Sequence, residues 1–257
     1  MNKKFVSVFL TGLLAVTMGF AVQQPKVQAS GKYTIVKSSF PIGGGTIYHA
    51  KSFTKNAYVW KHLNHKQKIA NLKNYPNTSW YRTGIITLKH NGKKSVYYMV
   101  DNFSPLSKKT LTGFVWRGYL KKGYNPNFSK VNSISLSLAS NTDYNRFIKQ
   151  SPSQKLTRKV LALFPNSKVD VKASEYALYR DPQKKPQGTV LEFKDLDRYV
   201  DNPNHNTESQ RVAKIKSILL NNGVDLDGHY TIGISLKNFV FNPNIDDQQQ
   251  GLVLVER

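Results

Sequence analysis

Asn91-Gly92 stands between two β-type runs, residues 85–90 and 96–100. A two-residue type I′ turn needs two positive φ angles, and Asn followed by Gly adopts them at least cost. The pair therefore predicts a hairpin and makes the two runs antiparallel neighbours. Apolar residues fall on both faces of that hairpin. Ile85, Val96 and Tyr98 stand against Ile86, Leu88, Tyr97 and Met99. A sheet with one wet face alternates cleanly, so this pattern predicts a small barrel or a sheet covered on both sides. Short runs around it extend the β reading: 33–36 and 46–49 on either side of Gly43-Gly44-Gly45, then 57–60 and 111–116, then a turn at Arg117-Gly118-Tyr119-Leu120.

Charge divides the chain. Residues 30–131 carry 18 lysines and arginines against one acid, Asp101. Residues 132–257 carry 17 against 14. A field so concentrated predicts a polyanionic partner, because opposite charge raises local concentration and on-rate. It also predicts two domains, 30–131 and 132–257, with a boundary at 123–131, where Gly, Asn and Pro give linker composition.

Lys3 and Lys4, the apolar run 5–22 and the break at Gln23-Gln24-Pro25 predict a secretory signal. Val27-Gln28-Ala29 sets small residues for cleavage after Ala29, which favours cleavage over a retained anchor. No later run approaches transmembrane length, so none is expected after cleavage. There is no Cys, which excludes disulfides, cysteine nucleophiles and thiolate zinc sites. The last residues carry no Leu-Pro-x-Thr-Gly signal, so no covalent wall anchor is expected.

The second half predicts an α+β domain. Ser151-Pro152-Ser153-Gln154 is a capping box before an apolar face of Leu156, Val160, Leu163 and Phe164. Thr207 and Gln210 form another, before Val212, Ile215, Ile218 and Leu219, with Gly223 as terminator. Residues 133–138, 189–193, 230–241 and 252–255 are strand-like.

The run Asn71-Leu-Lys-Asn-Tyr-Pro76, Trp80-Tyr81, Lys89-His-Asn-Gly-Lys-Lys94, Tyr97-Tyr98-Met-Val100 and Gly113-Phe-Val-Trp-Arg-Gly-Tyr-Leu120 resembles the bacterial Src-homology-3-type surface modules of secreted and wall-bound lactobacillus proteins. More loosely, it is similar to the Gly-Trp modules that hold autolysins on teichoic acids. The resemblance covers roughly residues 46–122, and Gly113-x-Val115-Trp116-x-Gly118-Tyr119-Leu120 is its most specific part. Phe114 stands where Gly-Trp modules have Trp, which weakens the teichoic-acid link. The fold class implied is a small Src-homology-3-like β-barrel followed by a separate α+β domain. The implied partner is anionic wall polymer, teichoic or lipoteichoic acid.

Residue chemistry agrees with that partner. Lysines on mobile stems suit a flexible phosphodiester chain as point charges. Lys89, Lys93 and Lys94 at the hairpin tip, Lys108 and Lys109 in the next loop, and Arg117, Lys121 and Lys122 after the last strand are the candidate polyanion contacts. They form one rim or two. Trp80, Tyr97 and Tyr119 are candidates for stacking on sugar rings, whereas Trp116 and Tyr98 are expected in the core.

Patterns for catalysis are thin. Ser52-Phe-Thr-Lys55 matches Ser-x-x-Lys but lacks its partner motifs. His62 and His65 are three apart with no acid near them in sequence, so neither a metal site nor a cofactor is expected. Asp225-Leu-Asp227-Gly228 fails the calcium-loop pattern and is better explained as a turn into the strand at Tyr230. Asp197 and Asp225 are among the acids a glycosidase pair would have to draw on. The leading expectation is a secreted wall-binding protein. The alternatives are a wall-targeted peptidoglycan-remodelling enzyme, with its site in the second half, and an extracellular nucleic-acid binder.

Overall fold

A computed structural model describes residues 33–41, 45–103, 111–201, 207–236 and 250–256. The signal segment 1–29, the triplet's Gly43 and Gly44, and the loop bearing Lys108 and Lys109 lie outside the described residues.

The first half is a curled antiparallel sheet of eight strands, a half-barrel. The strands are β1 (Tyr33–Ser39), β2 (Thr46–Ala50), β3 (Tyr58–Trp60), β4 (Lys68–Asn71), β5 (Ser79–His90), β6 (Lys93–Phe103), β7 (Thr112–Trp116) and β8 (Leu120–Lys122). They run in the order β4-β3-β7-β6-β5-β2-β8, with β1 pairing β5 as well. The β5–β6 hairpin closes at Asn91-Gly92 as expected, with φ of 48° and 77°. It is longer than the apolar runs suggested, because β5 serves two neighbours on one edge. Its first half pairs β2 and its second half pairs β1. A register shift between Arg82 and Gly84 bends it between the two. The inside of the curl packs Val59, Leu72, Trp80, Val100 and Val115, all wholly buried.

The second half is a four-stranded sheet, order β10-β12-β11-β9, built from β9 (Lys168–Val169), β10 (Thr189–Glu192), β11 (Thr231–Ser235) and β12 (Gly251–Glu256). Among the described strands of this sheet only β11 and β9 are parallel. Among the described residues five helices pack with it: α1 (Asn141–Gln150), α2 (Lys155–Leu161), α3 (Val171–Tyr179), α4 (Lys194–Asp201) and α5 (Glu208–Asn221). The Thr207–Gln210 capping box forms as expected. Ile215 and Leu219 are sealed in a core with Leu156, Leu196, Leu252 and Leu254. Helix α3 lies directly on β11, where a side chain at Gly233 would meet the Ala173 carbonyl at 2.2 Å.

Two expectations change. Residues 133–138 are not a strand but lead into a 3₁₀ turn at Leu136–Leu138. The Tyr124 hydroxyl donates to Ser135 O and accepts from Ser135 N, so a side chain takes the bonds a ladder would have used. The stretch 123–131, linker-like in composition, is packed. Tyr124 and Phe128 join Ile47 of β2 and Tyr144, Phe147 and Ile148 of α1 in one apolar cluster. Asn125 is buried as well, its amide donating to Pro76 O at 2.6 Å.

Candidate functional site

Strands β3, β7 and β6 lie side by side. Trp60 pairs with Phe114, and Tyr97 pairs with Trp116. Because strand side chains alternate, Tyr58, Trp60, Tyr97 and Trp116 emerge on one face. Tyr119 reaches the same place from the 3₁₀ turn Arg117–Tyr119. His65 comes from the turn between β3 and β4, held at φ 57°. With Ser95 these residues line an open groove of about 320 Å³.

The rings brace one another. His65 stacks on Trp60 at 4.8 Å and meets Tyr97 at 5.0 Å and Tyr33 at 4.6 Å. Tyr33 stacks in turn on His90 at 4.1 Å. Trp116 and Tyr119 form a right-angled corner, 5.0 Å between centroids and 86° between planes. The Lys68 ammonium sits 4.0 Å above the Tyr58 ring, a cation–π contact on the rim.

Protonation follows from burial. Burial and the neighbouring His90 lower the His65 pKa, so its imidazole stays neutral near neutral pH. Its Nδ1 stands 3.1 Å from the Tyr33 hydroxyl, and its Nε2 is buried with no partner among the described residues. Burial, with Tyr33 and Tyr119 nearby, pushes Tyr97 up to about 12 and keeps its hydroxyl protonated. No residue lining the groove is an acid. Asp101, the lone acid of the basic half, has its Oδ1 buried without a partner among the described residues.

The predicted contacts separate. Alternation along β6 puts Lys93 on the groove face, in line with Ser95 and Tyr97, and its cross-strand partner is His90. Lys89 and Lys94 pair with each other on the opposite face. Arg117 is exposed in the turn between Trp116 and Tyr119. Lys121 and Lys122 line a different cleft, about 530 Å³, between the sheet and α1, beside His49, Arg146 and Asp143. The basic groups thus form more than one rim.

Two aromatic assignments are corrected. Trp80 offers no face to a sugar; it is wholly buried in the sheet core, edge-on to Tyr75. Trp116, expected in the core, is 41 % exposed, because β7 turns its odd residue Val115 inward instead. Tyr97 and Tyr119 do line the groove. Tyr98 packs against the core. Tyr58, Trp60 and His65 were missed; the alternation Tyr58-x-Trp60 was the available signal.

The catalytic patterns have local structural uses. Ser52 Oγ accepts from the Thr54 and Lys55 amides in a turn. His65 N donates to His62 O, so the two histidines share a turn and not a helical face. Both Asp197 oxygens lie 2.6 Å from Arg180 Nη2. Asp225 Oδ1 accepts from Asp227 N in the turn that leads to β11. Among the described residues no helix is long and apolar enough to cross a membrane.

Compared with protein families, curated proteins and solved structures, the chain matches none.

Proposed function

We propose that the protein is secreted and wall-associated, and that its first sheet binds an anionic wall polymer, teichoic or lipoteichoic acid. The observation that carries this reading is the acid-free aromatic groove with cations at its rim. Lys93 and Lys68 flank it, Arg117 sits in its turn, and the one acid of that half has an oxygen turned away from water. An ordinary surface mixes both signs. Here rings supply contact area and lysines supply charge, which suits a flexible phosphodiester chain. A curled sheet whose last strand β8 returns to β2 supports the resemblance to Src-homology-3-type modules.

The test is sedimentation of chain 30–257 with purified walls. Raising salt from about 0.1 M to about 1 M shortens the screening length from about 10 Å to about 3 Å. Bound protein is expected to be released across that range, and walls stripped of anionic polymer are expected not to hold it. Retention that ignores both treatments would exclude the proposal.

A further inference from the structure

We infer that the Trp116–Tyr119 corner is a subsite for a pyranose ring, so that the groove takes a phosphodiester polymer carrying sugar substituents in preference to a bare one. The inference rests on the polymer-binding reading above and names the substrate class more closely.

The corner is built, not incidental. The chain buries Trp80 completely yet leaves Trp116 41 % and Tyr119 39 % exposed. The Trp116 indole lies back across Gly118. A Cβ there would stand 2.3 Å from Cη2 and Cζ3 of the ring. Gly118 has no left-handed φ to require a glycine. It is the ring that needs the space. The far end of the indole therefore rests close against Gly118 while the ring stays open to solvent, and Tyr119 stands perpendicular to it.

A pyranose has a flat C–H face and an equatorial belt of hydroxyls. The face stacks on the exposed indole, as apolar surface does on aromatic rings. The belt meets hydroxyls at hand in the groove, those of Ser95, Tyr97 and Tyr119. Phosphates on either side of the sugar-bearing unit meet Lys93 and Arg117.

Other ligand classes fit less well. An extended peptide adds to a free strand edge, but β3 already pairs β4 and β7, and β7 pairs β3 and β6. A cationic ligand would enter a half with 18 basic residues and one acid, and Lys68 already occupies the Tyr58 face.

The experiment uses chain 30–257 and four probes: poly(glycerol phosphate) with glucosyl substituents, the same polymer without them, inorganic polyphosphate, and an uncharged wall-type peptide. Glucosylated polymer is expected to bind about tenfold tighter than bare polymer, the factor that about 1.4 kcal/mol of stacking supplies. Trp116→Ala should bring the glucosylated and bare polymers to equal affinity, whatever common affinity the rest of the groove retains. Gly118→Ala only has to swing the far end of the indole. It should keep the fold, change the tryptophan emission and reduce the preference. Equal affinity for the two polymers overturns the inference while the polymer-binding reading stands. Binding to neither polymer overturns both. A Trp116-dependent preference for the peptide overturns the sugar subsite.

Discussion

Asp101 is the only acid among residues 1–131, and the fold uses it awkwardly. Burial raises its pKa, and the Thr112 hydroxyl lowers it only in part. Its Oδ1 finds no partner among the described residues. A buried carboxylate without a counter-charge favours its protonated form. In the unfolded chain the group ionises near pH 3.9; in the folded chain it ionises higher. Below about pH 3.9 both states hold the proton and stability does not depend on this group. Above that, the folded state binds more protons, so stability falls as pH rises until the folded carboxyl ionises too. Asp101→Asn removes the ionisation and keeps an acceptor for Thr112. The variant should melt higher than the parent at pH 7, and the gap should close near pH 3.5. Thermal unfolding at the two pH values decides the point, and a gap that persists at pH 3.5 would show that ionisation is not the cause. On the proposed polymer-binding reading the same placement also helps, since the one negative charge of this half is partly shut away from a polyanion.

The β5–β6 hairpin carries its charges on two faces, and this gives each lysine a different role. Lys89 and Lys94 are directly opposite, a like-charge pair that costs stability. Lys94→Glu turns it into an opposite pair and should stabilise the protein by about 0.2–1 kcal/mol, while leaving polymer affinity near that of the parent. Lys93→Glu, on the groove face, should weaken polymer binding and flatten its salt dependence. Denaturant melts and binding isotherms of the two variants test the split; equal loss of binding from both would deny the two-faced arrangement. Asn91-Gly92 made this hairpin legible in sequence; the tail from Gly113 to Leu120 gave a strand and a turn but set Trp116 on the wrong side. Val115 and Leu120 are buried, Gly113 admits the Trp60 carbonyl, and Gly118 admits an indole. The groove was not legible. It exists because Trp60 pairs with Phe114 across 54 residues, and local periodicity does not say which strands are neighbours. Trp80 was misjudged for the same reason: both faces of the hairpin region are apolar, and only pairing tells which one closes on itself. Helix α1 was legible and overlooked. Ser140 and Asp143 form a capping box, and Tyr144, Phe147 and Ile148 follow at helical spacing.

The charge step at residue 131 suggested two independent halves, but the apolar packing runs across it. Phe128 is wholly buried and lies in the cluster that joins Ile47 of β2 to Phe147 and Ile148 of α1. Its ring is 6.1 Å from Tyr124 and 6.0 Å from Phe147. Truncating a buried Phe to Ala costs about 3–5 kcal/mol through lost transfer energy and the cavity left behind. A cost of that size is a large fraction of a domain's net stability. If the cluster couples the halves, both should lose stability together. The two can be watched separately, because Trp60, Trp80 and Trp116 are all the tryptophans of the chain and all lie in the first half, whereas α1–α5 lie in the second. Tryptophan emission then follows the first sheet, and far-ultraviolet dichroism is weighted to the helices. In the parent the two transitions should coincide, as a single cooperative unit requires. Phe128→Ala should move both to lower temperature. Cutting the chain after residue 131 should leave a fragment that exposes Ile47 and Phe128, and that fragment should aggregate. Transitions that separate in the parent, or a soluble fragment with an unchanged emission spectrum, would show that charge and not packing marks the true division. The coincident outcome would mean that the groove keeps its shape partly through contacts on the far side of the sheet, so polymer affinity should fall in step with the melting of α1.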